Sequence, residues 1–288
     1  MFIVLGATGH VGSVLAHALL DRDLPVTAVF HDHRTTADWE RHGAKVDVVD
    51  VRDSDALRAV FRTGTRAFLL NPPADVTSDT DKEEQITAAS IISALDGSGL
   101  EKVLVASTFG AQPGEAIGDL SVLYAFEQAA LAQRIPVTIQ RGAYYFSNWD
   151  AQVEEARRGT LTTMFPADLK IPMVAPADLG RAAAGRLVEP FDGDTDLHLV
   201  EGPDRYSVRD VAEAFTSALG HRVEAISLHP SEWVGAYRKL GFSEPAAKSY
   251  AAMTKATVDG EFPALEETEH GATSLQSYIA DLVSRSPA

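Results

Sequence analysis

Glycines at positions 6, 9 and 12 follow the apolar run Phe2-Ile3-Val4-Leu5 and lead directly into a helical stretch, Val11 to Leu20. A strand that turns through glycine into a helix brings backbone N–H groups and a helix N-terminus against a pyrophosphate. In such a loop the first glycine permits the turn and the second removes a Cβ where phosphates approach. The third lets helix and strand pack closely. Gly6, Thr8, Gly9, His10, Val11 and Gly12 are therefore expected to contact a dinucleotide. The spacing is Gly-x-x-Gly-x-x-Gly rather than Gly-x-Gly-x-x-Gly, so the inference leans on where the loop stands, at the first strand–helix junction. His10 could reach phosphate or nicotinamide, or face solvent.

The residues after the second strand, His31-Asp32-His33-Arg34, bear on the choice of dinucleotide. An acidic side chain there binds a ribose 2′-hydroxyl, and a basic one accommodates a 2′-phosphate. His31 and Arg34 favour NADP, while Asp32 keeps NAD open. No third ligand accompanies the His-x-His pair, so no metal site is expected. Asp50, at the end of the third strand, is placed to touch adenine or to cap a turn. Asn71 and Pro72 end the fourth strand, on the edge where such sheets bind ligands. Ser107 and Thr108 end the fifth, positioned to bond an acceptor, the nicotinamide ribose or local backbone. Tyr124, Tyr144 and Tyr145 could stack on a flat substrate, donate a proton, or pack with a bonded hydroxyl.

These residues need a framework, and the first 150 residues supply one by alternating short apolar runs with amphipathic stretches. The expected strands are Phe2 to Leu5, Pro25 to Phe30, Lys45 to Val49, Arg66 to Leu70, Lys102 to Ala106 and Pro136 to Gln140. Helices are expected over Asp55 to Phe61 with Ser54 as cap, from about Glu83 to Leu95, and over Leu120 to Gln133. After Trp149 come irregular segments with Pro166, Pro172 and Pro176. A helix Ala177 to Leu187 follows, capped by Asp178 or Pro176, then a strand at His198 to Val200 that would return to the sheet. The tail from Pro203 reads as mostly helical. Its Trp233, Tyr237, Phe242, Tyr250 and Met253 are core residues or pocket walls between lobes. The expected fold class is α/β: a doubly wound parallel sheet with a small, mostly helical C-terminal substrate lobe. Residues 1–150, with 175–200 returning, form the first domain, and 151–174 with 201–288 the second.

Composition narrows the classes further. At 288 residues and 45% apolar content the chain can bury a large core, and disorder is not expected. With 25 basic against 41 acidic residues and no basic run, nucleic acid is a poor partner. The absence of cysteine removes disulfides, thiolate nucleophiles and cysteine-ligated metals. A strand beginning at Phe2 leaves no place for a leader, and no apolar stretch reaches the roughly 18 residues of a membrane span. A cytoplasmic protein without a membrane partner is expected. Gly-x-Ser-x-Gly, His-Glu-x-x-His and Walker motifs are missing as well.

Seven segments together identify a family. They are L-G-A-T-G-H-V-G, V-V-D-V-R-D, F-L-L-N-P-P, K-V-L-V-A-S-T, V-T-I-Q-R-G-A-Y-Y-F-S-N-W, A-P-A-D-L-G and E-G-P-D-R-Y-S-V-R-D-V-A. The chain resembles the NmrA-like branch of the atypical short-chain dehydrogenase/reductases over nearly its whole length. The resemblance implies a Rossmann domain, NAD(P) at Gly6, Gly9 and Gly12, and a substrate cleft between lobes, with Asn148 orienting loops around it. Family members include quinone, azo-dye and triphenylmethane-dye reductases as well as redox-sensing regulators.

Carbonyl-reducing relatives use Tyr-x-x-x-Lys, where lysine lowers the tyrosine pKa. No tyrosine here has a lysine four places on: Tyr124 is followed by Gln128, Tyr144 by Asn148 and Tyr145 by Trp149. The lysine that some relatives carry before the helix glutamate is also missing, since Leu123 and Tyr124 precede Glu127. Hydride transfer survives this loss, because a conjugated acceptor delocalises charge and the nicotinamide supplies the chemistry. The expected activity is NAD(P)H-dependent reduction of a planar conjugated acceptor, with Tyr124, Ser107 and Tyr144 as candidate catalytic groups. A nucleotide-sensing regulator is the alternative, and a non-redox isomerase or lyase the third. A small aromatic substrate is the expected partner, and a homodimer is compatible with the sequence.

Overall fold

The computed structural model describes residues 1–32, 36–190, 193–262 and 267–286. The first half alternates strand and helix: β1 (Phe2–Val4), α1 (His10–Leu20), β2 (Val26–Phe30), α2 (Thr36–Arg41), β3 (Lys45–Val48), α3 (Ser54–Phe61), β4 (Arg66–Leu69), α4 (Thr80–Leu95), β5 (Lys102–Thr108), α5 (Asp119–Leu131) and β6 (Val137–Gly142). Then follow β7 (Tyr144–Tyr145), a 3₁₀ segment (Phe146–Gln152), α6 (Val153–Arg157), β8 (Thr160–Thr163), β9 (Ile171–Val174), α7 (Pro176–Val188) and β10 (Thr195–Glu201). The last part holds β11 (Arg205–Tyr206), α8 (Val208–Leu219), β12 (Glu224–Ser227), α9 (Trp233–Lys239), α10 (Glu244–Asp259), β13 (Glu269–His270) and α11 (Leu275–Arg285).

The main sheet runs β13-β10-β6-β5-β4-β1-β2-β3, with every pairing parallel. Such strands are buried on both faces, which is why β1, β2 and β5 read as continuous apolar runs. Alternation still sorts their side chains. Val4, Phe68 and Leu104 join Val11, Leu15 and Leu187 under α1 and α7, whereas Ile3, Leu69 and Val105 join Phe61, Ile91 and Phe126 under α3, α4 and α5. Strand order reverses at β1, which lies between β2 and β4. The crevice beyond the carboxyl ends there is where open α/β sheets bind ligands. A third buried cluster gathers Phe146, Trp149, Ile171, Met173, Val211, Phe215 and Ile279.

The A-P-A-D-L-G segment is built for packing. A Cβ at Gly180 would lie 2.7 Å from the Val11 carbonyl oxygen, so glycine lets α7 sit directly on α1. Lys102 donates to the Arg186 carbonyl at 2.5 Å and Arg66 to those of Leu187 and Val188 at 2.7 and 2.6 Å. Both cations thus close the carbonyl-rich end of α7, at the opposite edge of the sheet from the ligand crevice.

Several boundaries differ from expectation. Asp53, not Ser54, caps α3, accepting from the Ala56 N–H at 2.9 Å. Asp79 starts α4 at Thr80, ahead of the expected Glu83. The cap position of α7 is Ala175, which has no capping side chain, because Asp178 is used elsewhere. Its carboxylate accepts from Thr273 N–H and hydroxyl at 2.9 and 3.1 Å, tying down the loop before α11. β5 and β6 run two residues further than expected, to Thr108 and Gly142. The irregular segments contain β7, β9 and β11 in one small sheet and β8 with β12 in another, strands too short to show alternation in sequence.

Candidate functional site

Gly6 takes φ +67°, a conformation that costs an L side chain and that glycine adopts freely. The turn closes through a Gly9 N–H to Gly6 carbonyl bond of 2.9 Å. A Cβ on Gly12 would stand 2.3 Å from the Gly6 oxygen, so the third glycine is what allows α1 to start this close to β1. A Cβ on Gly9 would meet only the Gly6 oxygen, at 3.3 Å, and otherwise project into open space. No acidic residue occupies the first turn of α1 and no side chain caps it. Its first amides therefore keep their capacity for an anion. Thr8 and His10 are exposed at the mouth of the turn, and Val11 is buried beneath it. This cradle fits a dinucleotide pyrophosphate.

Around the crevice the other expected contacts are spread along one edge. His31 is exposed and its ring pairs with the Asp32 carboxylate at 2.9 Å. Arg34, with His33, lies outside the described residues. Asp50 accepts from the Arg52 N–H at 2.9 Å, the turn-capping role, and remains exposed. Asn71 is buried and donates from Nδ2 to the Glu84 carbonyl at 3.1 Å, while its Oδ1 has no partner among the described residues. Pro72, next to it, is half-buried.

At the end of β5 the buried Ser107 hydroxyl donates to Glu127 of α5, which Arg141 of β6 holds through two bonds of 2.8 and 2.6 Å. Tyr124 is half-buried one turn earlier on α5. Tyr144 belongs with the third cluster, its ring 5.5 Å from that of Phe165 and 5.8 Å from that of Trp149. Burial drives its hydroxyl pKa far up despite a hydrogen bond with Asn148, so it can donate a hydrogen bond but not release a proton near neutrality. Burial, then the negative field of Asp119, pushes Tyr145 up to about 12. A cavity of about 290 Å³ opens beyond β5 between Phe109, Gly110 and Leu120 on one side and Thr257 and Phe262 on the other.

Two groupings escape a reading of the sequence. Glu127 and Arg141 form an ion pair fourteen residues apart, brought together because Arg141 stands in register with Ser107 on the neighbouring strand. Glu84 of the second turn of α4 and Asp119 at the start of α5 are hydrogen-bonded to one another, and burial pushes the pKa of each up. Burial and then the Asp119 charge push Glu84 up to about 7, while Asp81 beside them bonds Ser249 of α10 at 2.7 Å. The signal available was position, since both acids lie in the first two turns of helices that follow the ends of strands. In a chain with 41 acidic residues they read as surface.

An NAD(P)H azoreductase from Xenophilus azovorans is 21% identical over 247 residues, 86% of this chain and 84% of that protein. The fold is that of a triphenylmethane reductase from Citrobacter sp., with TM-score 0.82, 19% identity and 98% and 99% of the two chains covered. An NADPH-dependent quinone oxidoreductase from Escherichia coli, solved with NADPH, superposes at TM-score 0.81, with 19% identity and the same coverage. The family model that describes the NmrA-like family matches residues 1–275, and the chain belongs to that family.

Proposed function

We propose that this chain is an NAD(P)H-dependent reductase acting on a planar, conjugated small molecule such as a quinone or dye. The observation that carries the reading is the glycine turn, where a missing Cβ at Gly12 and open space at Gly9 leave the amides of α1 free for a pyrophosphate. The names of the relatives, azoreductase, dye reductase and quinone oxidoreductase, support the acceptor class. Gly6, Thr8, Gly9, His10, Val11 and Gly12 would hold the phosphates, His31, Arg34 and Asp50 the adenosine end, and Asn71, Pro72 and Ser107 the nicotinamide half. We favour NADP over NAD. The bound nicotinamide supplies the hydride. Tyr124 and Tyr144 then serve as hydrogen-bonding or stacking groups against the acceptor, and the proton comes from elsewhere than a tyrosine–lysine relay. In this reading residues 1–150 and 175–200 carry the cofactor, and 151–174 and 201–288 shape the substrate side.

The test is NADPH consumption by the purified chain with a panel of quinones, azo dyes and triphenylmethane dyes. Turnover well above the rate without protein is expected for at least one of them. NADPH binding without turnover of any would replace this reading with that of a nucleotide-sensing regulator.

A further inference from the structure

Trp233 opens α9 and is buried, and its Nε1–H donates to the Leu228 carbonyl at 3.1 Å, which holds the indole in one orientation. It lines a second cavity, of about 370 Å³, larger than the one beyond β5. Met164, Leu228, Pro230 and Val258 make the other walls apolar. Small-molecule sites span roughly 300 to 1,000 Å³ and combine such walls with a few placed polar groups. Here two groups on the lining have N–H bonds left to give. His229 Nδ1 accepts the Ser231 N–H at 3.3 Å, which puts the ring proton on Nε2. Lys255 has three N–H bonds and gives one to Asp259, a turn further along α10. That pairing occupies the carboxylate, and a cationic ligand brought to it would meet the Lys255 ammonium.

The two cavities share a wall. Ala256, Thr257 and Gly260, at the end of α10, line the first, whereas Lys255, Val258 and Asp259 line the second. At about 3.6 residues per turn these sets lie on opposite sides of the helix, so one turn of α10 separates the two spaces.

We propose that the second cavity binds a one- or two-ring aromatic molecule carrying a hydrogen-bond-accepting oxygen, its ring packed on Trp233 and its oxygen on Lys255 and His229. Aromatic carboxylates and aryl carbonyl compounds share that chemistry. An occupant supports the end of α10 from behind, so the helix cannot give way to an acceptor entering the first cavity, and the two ligands oppose one another. The site does not depend on the reductase reading. Only its opposition to an acceptor rests on that reading.

Calorimetry with 2-naphthoate, 2-acetylnaphthalene and 2-naphthylmethylammonium, alongside NMR of the indole N–H groups, tests the site without cofactor. The chain has three tryptophans, and the signal that disappears in Trp233→Phe is the one expected to move. The carboxylate or the ketone should bind and the ammonium compound should not, and the tighter of the first two assigns the class. Lys255→Met should weaken that binding about fivefold, and Val258→Phe, which fills the cavity, should abolish it. Cooperative melting establishes that each variant folds. A response confined to Trp39 or Trp149, binding undiminished in Val258→Phe, equal binding of the ammonium compound or no binding of any probe would overturn the site. In turnover with NADPH and a quinone, the bound ligand should raise the quinone KM to a plateau of about threefold at unchanged kcat, and Val258→Phe should remove the effect. An unchanged KM, one that climbs without a plateau, or an effect that survives Val258→Phe would overturn the opposition. A chain that reduces no acceptor would overturn the reductase reading and leave the NMR result standing.

Discussion

The two ends of the ligand crevice are made of different material. At β1 and α1 the site is backbone: a positive φ at Gly6, a missing Cβ at Gly12 and amides left over at a helix start. At β4, β5, α4 and α5 it is a set of polar side chains, most of them buried, with Ser107 bonded to Glu127, Glu127 to Arg141 and Glu84 to Asp119, while Asn71 donates to the Glu84 backbone carbonyl. The first end is shaped to suit a pyrophosphate, and at Gly12 it has no room for a side chain. The second rests on individual side chains and can be altered one residue at a time.

That contrast can be broken most directly at Gly12. Gly12→Ala places a carbon 2.3 Å from a backbone oxygen, which no rotamer change relieves. We expect a loss of about 3 kcal/mol in denaturant unfolding and complete loss of NADPH binding. Gly9→Ala, with 3.3 Å to the same oxygen, should keep its fold and lose only the nucleotide. If both variants bound NADPH normally, the backbone end would not be the phosphate site.

The polar end should fail in a different manner. Glu127→Ala leaves the partly buried Arg141 without its two bonds, and we expect about 2 kcal/mol of destabilisation, below the usual cost for a fully buried charge because Arg141 is 23% exposed. Phosphate binding at the glycine turn should survive. A competition assay with the adenosine-phosphate half of the cofactor would read that survival directly.

An effect of similar size is expected in the pH dependence. Glu84 stays protonated in the folded chain up to about pH 7, whereas an unfolded glutamate releases its proton near its usual 4.5. Between those values the folded chain binds the extra proton, so stability is greatest below about 4.5 and declines as pH rises toward 7. We expect about 2 kcal/mol lost across that window for this group. Glu84→Gln should flatten the slope in melting measured from pH 5 to 8, and an unchanged slope would show that the Glu84–Asp119 pair does not carry it.

Sequence patterns made most of the sheet legible because its strands are buried on both faces and its helices show one apolar stripe, local signals that survive in one dimension. Caps were legible in kind but not in place. Asp53 and Ser54 are both good N-caps, and the one used depends on which oxygen meets the Ala56 amide. The two-residue strands β7 and β11 carry no period. Asp178 looked like a cap because the loop it binds, at Thr273, lies 95 residues away.

By itself the sequence determined the glycine turn. Glycine at three positions behind a buried strand leaves few conformations open, and steric exclusion is a property each residue carries with it. It also determined that no tyrosine has a lysine one helical turn on. Only the tertiary structure decided what the polar residues do. Whether Ser107 gives or takes a hydrogen bond, whether Glu84 keeps its proton and where Lys102 spends its charge depend on partners from other strands and helices. Burial then makes those partners count, because a hydrogen bond or charge out of reach of water must be met by the chain itself.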